Sequence, residues 1–155
     1  MVGKEEIEVA RRLFEEGWSS GNPEAVRRFL TEDVVLRDVL SGAEAIRGWA
    51  NVYGLWEDAS GTLRIPVEDI FLSASGVSLT WVAYAQLNDD SEGPENRGKW
   101  RVGEGMSRLE FRDGKVCLQV NYWNGSQGIV ADWKTHWETR RQMTAAERGA
   151  VTGAS

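Results

Sequence analysis

The stretch GNPEAVRRFLTEDVVLRDVLSGAEAIRGW, from Gly21 to Trp49, decides how the chain reads. Asn22 suits an N-cap and Pro23 suits the first helical position, which predicts a short helix over residues 23–30. Val34 and Val35 open an extended run that ends at Asp38. Ser41 and Glu44 have capping-box spacing, and Ile46, Trp49, Tyr53 and Trp56 follow at helical intervals. A further helix with an aromatic stripe is therefore expected over 43–56. Asp38 is left as a carboxylate at a strand end, just before that stripe, and is a candidate chemical group.

Working outward, residues 4–19 form an amphipathic pattern with Ile7, Ala10, Phe14 and Trp18 on one stripe. Beyond the turn Glu57–Gly61 the period changes to two. Strands are expected over 63–73, 76–88, 98–112 and 115–124, separated by Ser75-Gly76, the loop Asp89–Asn96 and Asp113-Gly114. Residues 127–143 read as helical again, with Val130, Trp133 and Trp137 near one face, and the small polar tail after them is expected to fray. Helices followed by hairpin-linked strands argue for an α+β fold. No internal repeat is visible, so the chain divides into one domain over 1–145 and a flexible tail over 146–155.

Composition narrows the function classes. With 155 residues, 41% hydrophobic and 27% charged, the chain can bury one core and still enclose a pocket. A net charge of −6 without a Lys/Arg cluster argues against a nucleic-acid partner. No apolar run approaches a membrane span, and the polar segment MVGKEEIEVARR has no secretory core. Cys117 is the single cysteine, which fits a reducing compartment; the expected location is cytoplasmic. Eight tryptophans are the oddity. They either fill a core and a subunit interface or line a pocket for a large apolar ligand, and both hold if different residues serve each end.

Two motifs carry a resemblance, the VVLRDVL run ending near Asp38 and GKVCLQVNYWN at 114–124. The chain resembles the nuclear transport factor 2-like superfamily over about residues 5–125, a group that includes SnoaL-like polyketide cyclases, ketosteroid isomerases and limonene epoxide hydrolases. The resemblance implies a cone, with a curved mixed sheet wrapped around three N-terminal helices and a C-terminal helix added. It also implies a pocket between sheet and helices, with Tyr84 and Asn121 facing inward, and a homodimer through the outer sheet face, for which Trp81 is the expected marker.

Residue by residue, the resemblance places Asp38 where the isomerases carry a general base. A carboxylate facing an apolar cavity is desolvated, which suits it to proton abstraction; the alternative is a strand-end Asp that caps a turn or pairs with Arg37 or Arg47. The rest of the isomerase set is missing, since Phe14 and Ser107 stand where the oxyanion donors would be. The hydrolase Asp–Arg–Asp set is missing as well, its positions falling in gapless register on Val82, Tyr84 and Asn121. What remains is a catalytic group of Asp38, Tyr84 and Asn121, with Phe14, Trp18, Trp49, Tyr53, Trp56, Gln86, Ser107, Gln119 and Trp123 binding substrate. One acid with neutral hydrogen-bonding partners suits cofactor-free proton transfer on a hydrophobic, carbonyl-bearing small molecule of polyketide or terpenoid type: cyclisation, isomerisation or dehydration. Tyr84 and Asn121 satisfying one another across the sheet is the structural alternative, and a binding protein of the same fold is the functional one. His136, alone in the sequence, reads as surface or lid packing. No metal-ligand set is present, and no cofactor is expected.

Overall fold

The computed structural model describes residues 2–40, 42, 44–58 and 62–153, with the side chains of 54–58, 124–126 and 144–153 outside the description. The chain starts with α1 (Lys4–Arg12), whose first turn is closed by the Glu6 carboxylate accepting the Gly3 N–H at 2.8 Å. The helix widens into a π turn over Leu13–Gly17, tightens into a 3-10 turn over Trp18–Ser20, and stops at Gly21 with φ +68°. Only glycine takes that conformation without a steric cost. Asn22 then caps α2 (Pro23–Arg27), its side chain accepting the Glu24 N–H at 3.0 Å as its sequence position predicts. The helix is shorter than expected, because Leu30 already belongs to β1 (Leu30–Asp38).

The stretch after Asp38 departs from its sequence reading. Instead of a helix over 43–56 there is a two-residue strand, β2 (Ile46–Arg47), paired antiparallel with β1, and α3 begins only at Trp49 and runs to Asp58. Gly48, at φ +83°, makes the turn between them, and Asn51 and Val52 donate back to its carbonyl. Ser41 of the expected capping box lies outside the described residues; its partner Glu44 precedes the helix by several positions.

Seven strands form one curved, unclosed sheet in the order β2, β1, β7 (Lys115–Val130), β6 (Trp100–Arg112), β5 (Gly76–Gln86) and β3 (Leu63–Arg64), with β4 (Val67–Leu72) also pairing with β5. The expected strand 63–73 is two strands, β3 (Leu63–Arg64) and β4 (Val67–Leu72), because Pro66 cannot donate to the ladder. The Ile65 N–H goes instead to Ser19 Oγ at 2.8 Å. β5 (Gly76–Gln86) and β6 (Trp100–Arg112) match their predicted positions closely. β7 (Lys115–Val130) extends beyond its predicted end at 124, so Ile129 and Val130 are strand rather than helix, and α4 covers Trp133–Gly153. β1 and β7 are the parallel pair, and their register sets Asp38 beside Asn121.

Both faces of the sheet are covered. The helices pack on an inner face, where Val77, Leu79 and Trp81 of β5 and Leu109 of β6 meet Ala10, Leu13, Phe14, Val26, Trp49 and Val52. On the outer face Val82, Tyr84, Trp100 and Val102 form a separate cluster under Val130, Trp133 and Trp137. Val130, expected on the helix with the two tryptophans, meets them from the end of the strand. Burial on two sides makes β5 apolar along nearly its whole length, as a central strand between two packed layers requires.

Candidate functional site

Strand alternation puts Leu79 and Trp81 on the inner face of β5, and antiparallel register carries that face across the sheet. Leu79 pairs with Ser107 and Ser107 with Asn121; Trp81 pairs with Gly105 and Gly105 with Trp123. Asp38, Ser107, Gln119, Asn121 and Trp123 therefore share the inner face. The expected facing of β5 is corrected by one residue. Trp81 is not an outward interface marker but is 7% exposed in the helix-side core, stacked on Phe14 with ring centroids 6.4 Å apart. Tyr84 points the other way.

That reversal separates Tyr84 from the catalytic group in which its expected role set it. Tyr84 is fully buried on the outer face and hydrogen-bonds to His136 Nδ1 at 2.7 Å, with Trp133 against its ring. Burial pushes its phenol up to about 12, with Glu68 adding to the shift and Arg140 opposing it. Tyr84 and Asn121 do not satisfy one another across the sheet. His136, read as packing, is a specific partner that docks α4. Gln86 is also away from Asp38, donating to the Gly98 carbonyl at 3.2 Å and closing the β5–β6 hairpin.

The inner-face residues form a connected set. Asp38 accepts the Trp123 indole N–H, 3.0 Å from each carboxylate oxygen, and its Oδ1 also accepts the Leu40 N–H at 3.0 Å. Deeper in, Trp81 Nε1 donates to Ser107 Oγ at 2.9 Å, and Ser107 donates to Asn121 Oδ1 at 2.6 Å. From the other side Trp18 Nε1 donates to Gln119 Oε1 at 3.3 Å, and Gln119 Nε2 donates to Asn121 Oδ1 at 3.0 Å. Ser107 and Gln119 are buried, whereas Asp38, Asn121 and Trp123 reach solvent at the open edge. Trp49 is part of the core, its ring edge-on to Tyr53 at 6.2 Å and under Arg27. The Trp56 side chain lies outside the described residues.

A cavity of about 510 Å³ opens elsewhere, lined on the outer side of the sheet by Glu68, Thr80, Glu104, Met106, Tyr122 and Arg140 and reaching Trp81, Gly105 and Trp123. Arg140 on α4 is bidentate to Glu68, at 2.6 and 3.3 Å, and reaches Glu104 at 2.6 Å. Gln127, and after it Arg140, holds the Glu104 carboxyl below its usual range. Sequence reasoning missed this triad, because its members are far apart in the chain and carry no spacing signal. Trp81 was misplaced, although the glycine at its cross-strand position, Gly105, is the mark a bulky inward ring leaves on its neighbour. Among the described residues no group of three His, Cys, Asp or Glu could hold a metal ion, and no helix is long and apolar enough to cross a membrane.

With the geometry in place, comparison with known proteins gives the family: the SnoaL-like domain matches residues 10–119, more than half the chain. The chain belongs to the SnoaL-like domain family. Solved structures agree on the fold of this SnoaL-like domain. A candidate polyketide cyclase from Xanthomonas campestris pv. campestris superposes with TM-score 0.61 at 22% identity, over 78% of this chain and 91% of that one. The Δ5-3-ketosteroid isomerase from Mycobacterium sp. gives 0.59 at 18% identity, over 77% and 93%. TerC, crystallised with polyporic acid, gives 0.62 at 12% identity, over 78% and 92%. No curated protein matches. The expected superfamily and α+β fold are thereby established, and the added α4 is what this SnoaL-like domain places over its outer face.

Proposed function

We propose that this SnoaL-like domain is a small-molecule cyclase or isomerase in which Asp38 moves a proton on a hydrophobic, carbonyl-bearing substrate. The observation that supports this most is the meeting of Asp38 and Asn121 at one register position of the parallel β1–β7 pair, on the helix side and open to solvent. One supplies a proton acceptor and the other an amide, beside the Trp123 indole, which is 38% exposed. Proton abstraction needs an acceptor within hydrogen-bond reach of the carbon acid, and a polar group on the oxygen where charge collects. The outer cavity offers two acids, but Arg140 ties up both Glu68 and Glu104.

The proton taken by Asp38 returns to the product, so the reaction balances without a redox cofactor or metal. The structural neighbours include a candidate polyketide cyclase, a ketosteroid isomerase and TerC crystallised with polyporic acid, which supports a polyketide- or terpenoid-like substrate. A binding protein of the same fold is the second reading, favoured by the Asp38 carboxylate already accepting Trp123 and Leu40. We also propose a homodimer through the part of the outer face that α4 leaves open, where Phe71, Met106 and Tyr122 are exposed, and a reducing, cytoplasmic setting for the lone Cys117. Deuterium exchange at the α-carbon of a fused-ring ketone, 2-tetralone, followed by NMR, tests the chemistry. Acceleration by the protein that is lost in Asp38→Asn supports an enzyme; binding without acceleration moves the assignment to a binding protein.

A further inference from the structure

The hydrogen bonds around Asn121 have a fixed polarity, and its source is two tryptophans. An indole N–H donates and never accepts. Trp18 Nε1 therefore requires the oxygen of Gln119 at its 3.3 Å contact, which turns the Gln119 amide nitrogen towards Asn121. Trp81 Nε1 uses a lone pair of Ser107 Oγ, which leaves the Ser107 hydroxyl proton for Asn121 at 2.6 Å. Two donors thus converge on one atom of the Asn121 side chain, so that atom is Oδ1. A flipped amide would face the Gln119 NH2 with a second NH2 and strand the Ser107 proton.

The consequence falls on the other end of the amide. Asn121 Nδ2 makes no hydrogen bond within the described residues, and the one buried side-chain polar atom left without a partner there is Thr31 Oγ1. Nδ2 is therefore reachable by solvent, on the same face and at the same register position as Asp38.

We propose that the paired relays Trp18–Gln119 and Trp81–Ser107 lock Asn121 so that Nδ2 is an oxyanion donor, selecting substrates that present an enolisable carbonyl or a phenolic oxygen there. The inference rests on the reading of Asp38 as proton acceptor. In the step, the α C–H bond breaks, its proton goes to an Asp38 oxygen, and its electron pair forms a C=C bond. The carbonyl π pair moves to oxygen, where the Nδ2 hydrogens hold it. Returning the proton to a different carbon of the conjugated system gives isomerisation; attack of the enolate carbon on a second carbonyl moves that carbonyl's π pair to its oxygen, which takes the proton from Asp38, and gives ring closure. Asn121 touches the substrate, while Trp18, Gln119, Trp81 and Ser107 are positioning residues.

The test uses 2-naphthol as the probe and NMR of the 15N-labelled side-chain amides as the readout. In the wild type, the assigned Asn121 NH2 protons should move downfield as 2-naphthol is added, and the same shift should persist in Asp38→Asn. In Trp18→Phe, a mild change at a part-buried ring, those protons should split into two sets or lose the naphthol response. The kcat for 2-tetralone exchange should fall roughly tenfold or more with little change in KM. Asn121→Ala should lower kcat about a hundredfold. Asn121 NH2 protons unmoved by millimolar 2-naphthol, or identical in Trp18→Phe and wild type, would overturn the relay. Exchange that is absent in wild type while the Asn121 shift is present would instead reject Asp38 as the base and leave the donor standing.

Discussion

Gly105→Ala is the substitution for which general expectation and this structure give opposite signs. A glycine replaced by alanine at an ordinary backbone conformation stabilises a protein by about 0.4–1 kcal/mol, because the unfolded chain loses freedom. Gly105 does not have a positive φ, so backbone strain does not enter. Its Cβ would, however, sit 2.5 Å from the Tyr122 carbonyl oxygen, 2.6 Å from Trp123 Cβ and 2.8 Å from Trp81 Cη2. Comfortable carbon contacts lie near 3.5–4 Å, so these neighbours must retreat by roughly 1 Å. The first is backbone of the β6–β7 ladder, the second is a Cβ fixed directly to that backbone, and the third belongs to a ring held between Phe14 and Ser107, so none yields freely. Overpacking of this kind costs about 1–3 kcal/mol, and the upper part of that range applies where backbone is in the way. After the unfolded-state gain, a net loss of about 2 kcal/mol is expected, or a fall in Tm of about 4–8 °C for a chain of this length. Thermal melts followed by circular dichroism read this directly. A Tm unchanged or raised would show that Trp81 and Trp123 do not press on Gly105, and with that the inner-face placement of Trp81 would fail.

Alkaline pH should weaken the outer cluster. Burial raises the Tyr84 phenol from 10.0 to about 12, so the fold favours its protonated form. That contribution is complete below about pH 10, where the unfolded phenol is also protonated, and is lost as pH rises towards 12. Urea midpoints should fall across that window and do so less in Tyr84→Phe. Arg140→Ala leaves Glu68 and Glu104 facing each other without their shared cation; a loss of about 1–2 kcal/mol is expected, given that all three groups are partly exposed, with a red shift of tryptophan emission as α4 loosens. If the proposed homodimer uses the exposed part of the outer face, light scattering should give a dimer for the wild type and a monomer for Met106→Lys; a dimeric mass unchanged by the substitution would remove that face as the interface.

The helices and strands were legible because each is covered on a definite side, which leaves its period in the sequence. The facing of β5 was not. Thr80, Val82 and Tyr84 alternate with Leu79, Trp81 and Ala83, and both sets are largely apolar because helices cover one side and α4 much of the other. A period of two states that faces differ, not which is inner. The third helix was misread because Ser41 and Glu44 have capping-box spacing while Gly48, the residue that makes the turn, looks ordinary in sequence. Asp38, Ser107, Gln119, Asn121 and Trp123 were found from strand position and resemblance and do share one face. The Arg140 triad and the Tyr84–His136 bond were out of reach, since they depend on where α4 lands.

The most direct measurement sets Asp38→Asn beside Tyr84→Phe in the same α-proton exchange assay with 2-tetralone. Asn is nearly isosteric with Asp and removes the proton-accepting charge, so Asp38→Asn should lose on the order of a hundredfold or more in kcat while still melting as a folded protein. Tyr84→Phe deletes a hydroxyl on the far side of the sheet and should stay within about threefold of wild type, since no transition-state contact is removed. Full exchange activity in Asp38→Asn, or a collapse in Tyr84→Phe with Asp38→Asn intact, would contradict the inner-face site and move the chemistry to the outer face under α4.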